Sequence, residues 1–514
     1  VVAEGPIKEG RSSFLVAGRR SYLDIFLKAT DEYRNNTLHF YDANLRLNFR
    51  LSQKDVLSLS FFRGRDNMGL EDWVRMEWGN TTATANWLHT FNDGLYANTQ
   101  LIYSDFVSDI GIEVLNIYYT LRGFIRHATL HHQQTANVKK HRLIYGFEST
   151  YLQLMSAEWD INLLHQREKR DAWTNALWLN DDWQLAPNWQ LSAGLRLRTF
   201  SVLGGAPYYH LDADGNIMET LHPTGIMKTY VNVEPRLSMK WNLTPQHSLK
   251  LGYSRTSQDI HAISGMSLSM PFDRYTMTSN IVEPEEADQV ALGWMGMTPS
   301  GDYDCSVEGY YKNIRNVYDY RDGDTFYTEI EIERLLLGGK GRAYGLEFCA
   351  RKNSGRLTGW LSYTLSWSEN MIEGINGGSW YTASNDRRHD LSIVGLYQLS
   401  PSWELSGIWH YNTGQALTAP SAKYDIDGTT YYYFNERNGY RAPANHRLDL
   451  SANYTKKLKK GFTRVWSFGV YNAYNRYNPF MIRFKNDTDS PTGTVCEQTS
   501  LFGIVPSVSF TLKY

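Results

Sequence analysis

Asp42-Ala43-Asn44-Leu45-Arg46-Leu47-Asn48-Phe49-Arg50-Leu51-Ser52 is the stretch that decides the fold. Polar residues hold every even position and apolar residues every odd one, the period of two required of a β-strand with one greasy and one wet face. Gln53-Lys54-Asp55 then turns the chain. Leu57, Leu59 and Phe61 resume the apolar set against Ser58 and Ser60, so the expected unit is an antiparallel hairpin. The alternation returns at Gln190 to Thr199, where Leu191, Ala193, Leu195 and Leu197 oppose Gln190, Ser192, Arg196 and Arg198. It returns again at Ser248 to Ser254, with Leu249, Leu251 and Tyr253 against Ser248, Lys250 and Ser254.

Short polar turns join these runs at Phe91-Asn92-Asp93-Gly94, Ala186-Pro187-Asn188, Thr244-Pro245-Gln246, Thr298-Pro299-Ser300, Asn353-Ser354-Gly355 and Leu399-Ser400-Pro401. Between the hairpins lie much longer segments, roughly Val202 to Met227, Gln258 to Glu283, Tyr318 to Gly339, Trp367 to Asn385, Gly414 to Pro443 and Arg476 to Ser500. Strict alternation of short and long connections is expected of an all-β transmembrane antiparallel barrel, with short periplasmic turns at one end and long extracellular loops at the other. One strand between each turn and loop gives about twenty strands of the ~10 residues that a tilted crossing needs. A barrel that wide is not filled by its own side chains, so it is a channel or holds a plug.

Composition agrees with that class and excludes others. The 514 residues include 35 Tyr, 21 Phe and 16 Trp, while net charge is −2 and charged residues make up 21%. Neither a disordered chain, nor a polybasic nucleic-acid binder, nor an acidic tail has this balance. Mean hydropathy is −0.47 and no run of 18 apolar residues occurs, which excludes a helical span but not strands that are only half apolar. Val1 opens the chain without an initiating Met or a charged-apolar-small signal segment, as expected of a processed or truncated exported product.

Several motifs resemble the TonB-dependent receptors of Bacteroidetes, in their barrel portion and over nearly the whole chain. They are Glu4-Gly5-Pro6-Ile7 with Ser12-Ser13-Phe14 and Arg19-Arg20-Ser21-Tyr22-Leu23-Asp24, Glu234-Pro235-Arg236-Leu237-Ser238, and Tyr344-Gly345-Leu346-Glu347 followed by Gly355-Arg356-Leu357-Thr358-Gly359-Trp360. Asp386-Arg387-Arg388-His389-Asp390, Arg441-Ala442-Pro443 with His446-Arg447-Leu448-Asp449, and Tyr471-Asn472-Ala473-Tyr474-Asn475 complete the set. The resemblance implies a 22-stranded outer-membrane barrel plugged from the periplasmic side. Its implied work is nutrient import with energy relayed by TonB and ExbB-ExbD. It also implies a carboxypeptidase-regulatory-like domain, a TonB box and a plug ahead of the barrel, none of which these residues contain. On this reading residues 1–7 are the stub of the second barrel strand, residues 8–514 form the remaining twenty, and an N-terminal piece with the plug and two strands is expected as further or separate polypeptide. The closing run, with Val508, Phe510, Leu512 and Tyr514 alternating with Ser507, Ser509, Thr511 and Lys513, looks like the insertion signal of bacterial outer-membrane barrels.

No catalytic constellation emerges: there is no Ser-His-Asp order, paired catalytic carboxylate or activated Cys. Cys305 shares a face with Val307 and should point to lipid, whereas Cys349 shares one with Glu347 and should point to the lumen, so no disulfide joins them. Cys496 falls in a long loop. His131-His132, His389 and His446 lack a metal-ligand spacing. Asp212-Ala213-Asp214-Gly215-Asn216 and Asp425-Ile426-Asp427-Gly428 look like calcium-loop starts without the closing glutamate, and read more simply as Asp-Gly turns. Gly338-Gly339-Lys340-Gly341 reads as a loop-to-strand entry, not a phosphate loop. No metal or cofactor is expected.

Lumen-facing Arg196, Arg198, Glu347, Arg351, Arg447 and Asp449 fit wall pairs, plug contacts or substrate contacts. The loop aromatics Tyr208, Tyr209, Tyr318, Tyr320, Trp380, Tyr381 and the run Tyr431-Tyr432-Tyr433-Phe434 suit sugar rings, peptides or planar chelates, or else an interfacial girdle. The reading reached is an outer-membrane receptor barrel for TonB-dependent uptake, with a surface lipoprotein as an open question and no nucleic-acid partner. A structural or assembly barrel and a passive porin, the latter needing a loop folded into the pore, are the alternatives.

Overall fold

The computed structural model describes the chain except residues 29–33, 71–73, 115–116, 162–163, 264–272, 323–330, 427–428, 488–489, 491–492 and 514. Tyr514 of the closing signal and Asp427-Gly428 of the second acidic loop therefore lie outside the described residues.

The period of two in Asp42 to Ser52 becomes strand Thr37–Arg50, and its partner is Asp55–Leu70. Leu45 lies opposite Phe61, Leu47 opposite Leu59 and Phe49 opposite Leu57, so the apolar residues share one face, while Asn48 and Ser58 meet on the other with a 2.9 Å hydrogen bond. Among the described residues each wall strand pairs antiparallel with the next wall strand, loop hairpins intervening, and together they form one 22-stranded sheet. One of the 22 is the dipeptide Tyr381–Thr382, which pairs only with Glu369 and Asn370, so 21 strands build the wall. Val2–Lys8 and Val505–Lys513 each have a single neighbour among the described residues.

The alternation expected from sequence holds across the sheet. Leu195, Leu197, Leu177, Leu179, Val231, Val233 and Leu237 are exposed on the outer face, as are Val508, Phe510 and Leu512 in the last strand. Exposed apolar side chains on every strand would be a liability in water; in lipid they are the solvated face. Aromatic rings gather in two bands. Trp189 stacks on Trp241 at 4.9 Å and His247 on Trp294 at 5.6 Å beside the short turns, whereas Tyr344 stacks on Trp367 at 5.2 Å toward the long loops. Such bands are the girdles that fix a barrel at the two headgroup levels.

Three expectations need correcting. Strands are not uniformly about ten residues: they run up to 23 residues in Leu164–Ala186. Long and short connections alternate as loops only in the C-terminal half, because between residues 55 and 186 the strands pair with one another over 16 to 23 residues as tall hairpins. Extended pairing carries the same length of chain without a loop, and alternating sequence cannot mark where lipid ends. Gly338 to Gly341 lie inside strand Leu336–Lys352, not at its entry. A Cβ on Gly339 would stand 2.4 Å from the Met371 carbonyl oxygen, so glycine is there to let neighbouring backbones approach. Opposite it, Asn316 adopts φ +59° at a bulge between Arg315 and Val317.

The cysteines follow the facing argument. Cys305 lies opposite Ala350 on the outer face, Cys349 opposite Ser306 on the inner face, and all three are free thiols.

Candidate functional site

Where the long loops meet the inner wall, the sheet's wet face turns apolar. Leu152, Leu154, Ala172, Phe200 and Val202 project inward from adjacent strands and bury Tyr208 and Met277 of two loops. The hairpin made by Ile260–Ile263 and Arg274–Met277 lies against this wall, with the Tyr275 ring 6.0 Å from Phe106 in an edge contact. A second cluster joins Ile263, Val282 and Tyr320 to Ile332, Leu335 and Leu336, and a third joins Ile372, Ile375 and Tyr381. These loops are packed as satellite cores and hold fixed positions over one side of the mouth.

Charge locks the first two clusters together. Buried Glu168, projecting from strand Leu164–Ala186, receives Arg274 Nη2 at 3.5 Å, Arg170 Nη2 at 3.4 Å and the Ile332 backbone N–H at 3.3 Å. Arg170 also approaches Glu333 at 4.0 Å and covers the Tyr208 ring at 4.6 Å. Burial pushes the Tyr208 hydroxyl up to about 12, so it remains a donor, here to the Leu203 carbonyl at 2.7 Å. Beside the second cluster Arg437 binds Asp319 at 2.9 Å, Asp322 at 2.8 Å and the Tyr320 carbonyl at 3.1 Å. Asp386, fully buried, takes Arg441 Nη2 at 2.6 Å and the Ser368 N–H at 2.8 Å. Such buried pairs are costly to break from one side, because removing one partner leaves an uncompensated buried charge.

This architecture sorts the expected aromatics. Tyr208, Tyr209, Tyr320 and Tyr381 are buried within the loop cores, and Tyr381 donates to Asp319 at 3.0 Å. The Tyr318 hydroxyl accepts the Glu283 backbone N–H at 2.7 Å, and Trp380 lies under Arg342 at 4.1 Å. None of these offers a free ring face. Tyr431 and Tyr433 do. In hairpin Ala422–Ile426/Thr429–Tyr433, Lys423 Nζ reaches Asn486 Oδ1 at 2.7 Å and the Gly493 carbonyl at 2.6 Å, docking the polar side on hairpin Met481–Asn486/Thr494–Thr499. The opposite side presents Tyr424, Ile426, Tyr431 and Tyr433, all exposed, with Phe434 beside them and Tyr432 on the docked face. Sequence reading included the run 431–434 but missed Tyr424; the strand register, which pairs it with Tyr431, is the signal that finds it.

Most of the expected lumen charges are paired in the wall. Arg196 binds Glu148 at 3.0 Å and lies 5.0 Å over Trp178, Arg198 binds Ser257 Oγ at 2.9 Å and pairs with Asp259, and Arg447 holds Asp449 at 2.9 Å and the Tyr471 hydroxyl at 2.9 Å. Arg351 lies opposite Trp360, its guanidinium 6.0 Å from the ring. Glu347 differs: it lies opposite Glu308, and in the same row, with Gly293 between, Lys250 lies opposite Lys240. Among the described residues none of these four makes an ion pair.

The histidines have protein partners: His131 meets Glu148 at 3.1 Å, His132 meets Thr99 at 2.9 Å, His389 the Tyr363 hydroxyl at 2.9 Å and His446 the Tyr474 hydroxyl at 2.8 Å. The Asp212 carboxylate accepts from the Asp214 N–H at 2.9 Å, the Asn216 N–H at 2.8 Å and Asn216 Nδ2 at 2.9 Å, the pattern of an Asx turn rather than a cation loop.

Comparison with solved structures finds the same fold at low identity. The ferric-catecholate import receptor Fiu from K12 E. coli has a TM-score of 0.64 and 12% identity over 99% of this chain and 78% of its own. The ferripyoverdine receptor of the Pseudomonas aeruginosa outer membrane has a TM-score of 0.66 and 13% identity over 99% and 68%. The ferric citrate transporter FecA, unliganded, has a TM-score of 0.64 and 16% identity over 100% and 75%. Comparison with curated protein sequences finds no match. The family model described as "TonB dependent receptor-like, beta-barrel" matches residues 19–473, and the chain belongs to that family of outer-membrane receptors.

Proposed function

We propose that this barrel imports a scarce nutrient, a glycan, peptide or metal chelate, through a lumen closed by a plug segment and opened by TonB acting with ExbB-ExbD. The observation that carries the proposal is a row on the inner wall where two cations and then two carboxylates, separated by Gly293, stand without ion pairs among the described residues. Like charges directly opposite on a sheet are destabilising, so Glu308 with Glu347 and Lys240 with Lys250 call for a partner surface carrying the complementary charges. A wall of 21 strands is too wide to be filled by its own side chains, which points to the same occupant. The single-neighbour edges of Val2–Lys8 and Val505–Lys513 support a further strand from the same segment, because an unpaired edge in lipid costs several kcal/mol per polar group.

First contact with the nutrient is assigned to the exposed face of Tyr424, Tyr431 and Tyr433, whose rings offer flat apolar surface with hydroxyls at the edge. The protein acts by capture and translocation, without catalysis. Iron chelates are one class worth testing, since Fiu and the ferripyoverdine receptor are named for them.

The test is uptake in cells carrying the full receptor, supplied in turn with radiolabelled ferric chelates, oligopeptides and oligosaccharides, with and without functional TonB. One class should accumulate only when TonB is present, and Tyr431→Ala with Tyr433→Ala should raise the half-saturating concentration. Uptake indifferent to TonB, together with free passage of small sugars into liposomes carrying the receptor, would replace import by a diffusion channel narrowed by the paired strands Ile260–Ile263 and Arg274–Met277.

A further inference from the structure

The outer wall is convex and bulky almost everywhere, but near the short turns it is hollowed. Gly296, Cys305 and Ala350 fall in one row across three neighbouring strands, and Gly359 faces Gly395 across the next two. All five lie on the outer face, because each alternates with the same set as Trp294, Leu361 and Ile393. The small residues form the floor of a groove of about 750 Å³, walled by Trp294, Leu361 and Ile393 and open to the lipid side. A space of that size is in the range of small-molecule sites.

Two glycines show that the hollow is not simply a by-product of close strands. At Gly359 a Cβ would strike the Val394 carbonyl oxygen at 2.0 Å, so the backbone itself demands glycine. At Gly395 a Cβ would meet nothing within 4 Å. The protein therefore leaves room there that its own packing does not require, and an unfilled void forfeits the dispersion contacts of its lining.

The rim is cationic. Lys352, opposite Gly359's strand at its lower end, holds its Nζ 4.9 Å over the Tyr303 ring and donates to the Ser354 carbonyl at 2.7 Å. Arg356 covers Tyr397 at 5.6 Å and donates to the Leu399 carbonyl at 2.7 Å. Two carboxylates are near this rim: Asp304, a lining residue that accepts from Asn353 Nδ2 at 2.6 Å, and Asp302, which accepts from Ser300 at 2.6 Å and from Ser354. Both cations spend donors on neutral carbonyls; the Lys352 charge also acts on Asp302, and Arg356 has no carboxylate partner among the described residues.

We propose that this groove binds one anionic phospholipid of the periplasmic leaflet, an acyl chain lying over Gly395 and Ala350 and the phosphate held by Lys352 and Arg356. The inference rests on the membrane orientation given by the short turns. Apolar length in the hydrocarbon band and positive charge at its edge are the two features such a lipid matches.

The test is native mass spectrometry of the full receptor extracted into detergent, with heat-modifiability on gels as the check that the barrel is intact. Wild-type protein should retain one phosphatidylglycerol in preference to phosphatidylethanolamine. Gly395→Leu should lower retention about tenfold by filling the hollow, while Lys352→Gln with Arg356→Gln should abolish the headgroup preference. Ala193→Leu, on the outer face of another strand, should leave retention unchanged. Equal retention in wild type and Gly395→Leu would overturn the proposal, as would loss of a copurifying membrane protein instead of lipid. Loss of heat-modifiability in the wild type would instead sink the membrane barrel itself, so the two failures are distinguishable.

Discussion

Replacing Leu195 by Arg places a charge at a depth that the structure allows to be worked out. The Trp189–Trp241 stack marks the headgroup level beside the short turns, and Leu195 lies six residues along the same strand. At roughly 3.3 Å per residue this is about 20 Å of strand. A tilt of about 45° converts it to about 14 Å along the membrane normal, close to the middle of an apolar band about 25 Å tall. Leu195 is 52% exposed on the outer face, so the arginine would have lipid as its only surroundings. The expected cost is about 2–4 kcal/mol. Thr364→Arg is the matched control, since Thr364 faces the lumen opposite Glu347 and the new cation would meet a carboxylate, with an expected change below about 1 kcal/mol. Urea titration of each variant in liposomes, read as the heat-modifiable fraction on gels, gives both numbers. Equal losses from the two substitutions, or a larger loss from Thr364→Arg, would refute the assignment of inner and outer faces.

Three further outcomes follow from the loops and the wall. Glu168→Gln removes the carboxylate shared by Arg170 and Arg274, leaving buried cations at a local cost of about 3–5 kcal/mol; limited proteolysis should speed up between residues 204 and 277 while the barrel stays heat-modifiable. Gly339→Ala forces strands apart at the Met371 carbonyl and should cost about 1–3 kcal/mol in the same urea titration. Asp212 is held below its usual value of 3.8 by hydrogen bonds from the Asn216 side chain and backbone. A depressed folded value means that its contribution is present above pH 3.8 and lost as pH falls through the lower value. Hydrogen exchange at the Asp214 and Asn216 amides should therefore be as slow at pH 5 as at pH 7, after correction for intrinsic rates, and faster once pH falls well below 3.8. Uniform protection at every pH would remove the carboxylate from that turn.

The wall was legible in the sequence because lipid enforces a period of two on every crossing: Asp42 to Ser52 alone announces it, and the facing of Cys305 and Cys349 follows without further information. Strand length was not, since the tall hairpins between residues 55 and 186 continue the same alternation beyond the membrane. The loop aromatics show the other limit. Tyr208 and Tyr431 are alike in composition and neighbourhood, yet one is sealed under Arg170 and the other stands in solvent. That difference is made by Glu168, Arg274 and Ile332, residues far apart in sequence that meet only after the barrel closes. Local pattern carries no information about such contacts.

The central claim is that this barrel works with a plug and TonB. Intact mass and N-terminal sequencing of the protein isolated from outer membranes test it most directly. A plug and TonB box should be found, either on a longer chain or on a polypeptide that copurifies with this one. A preparation containing only the barrel, conducting freely in planar bilayers, would contradict the account.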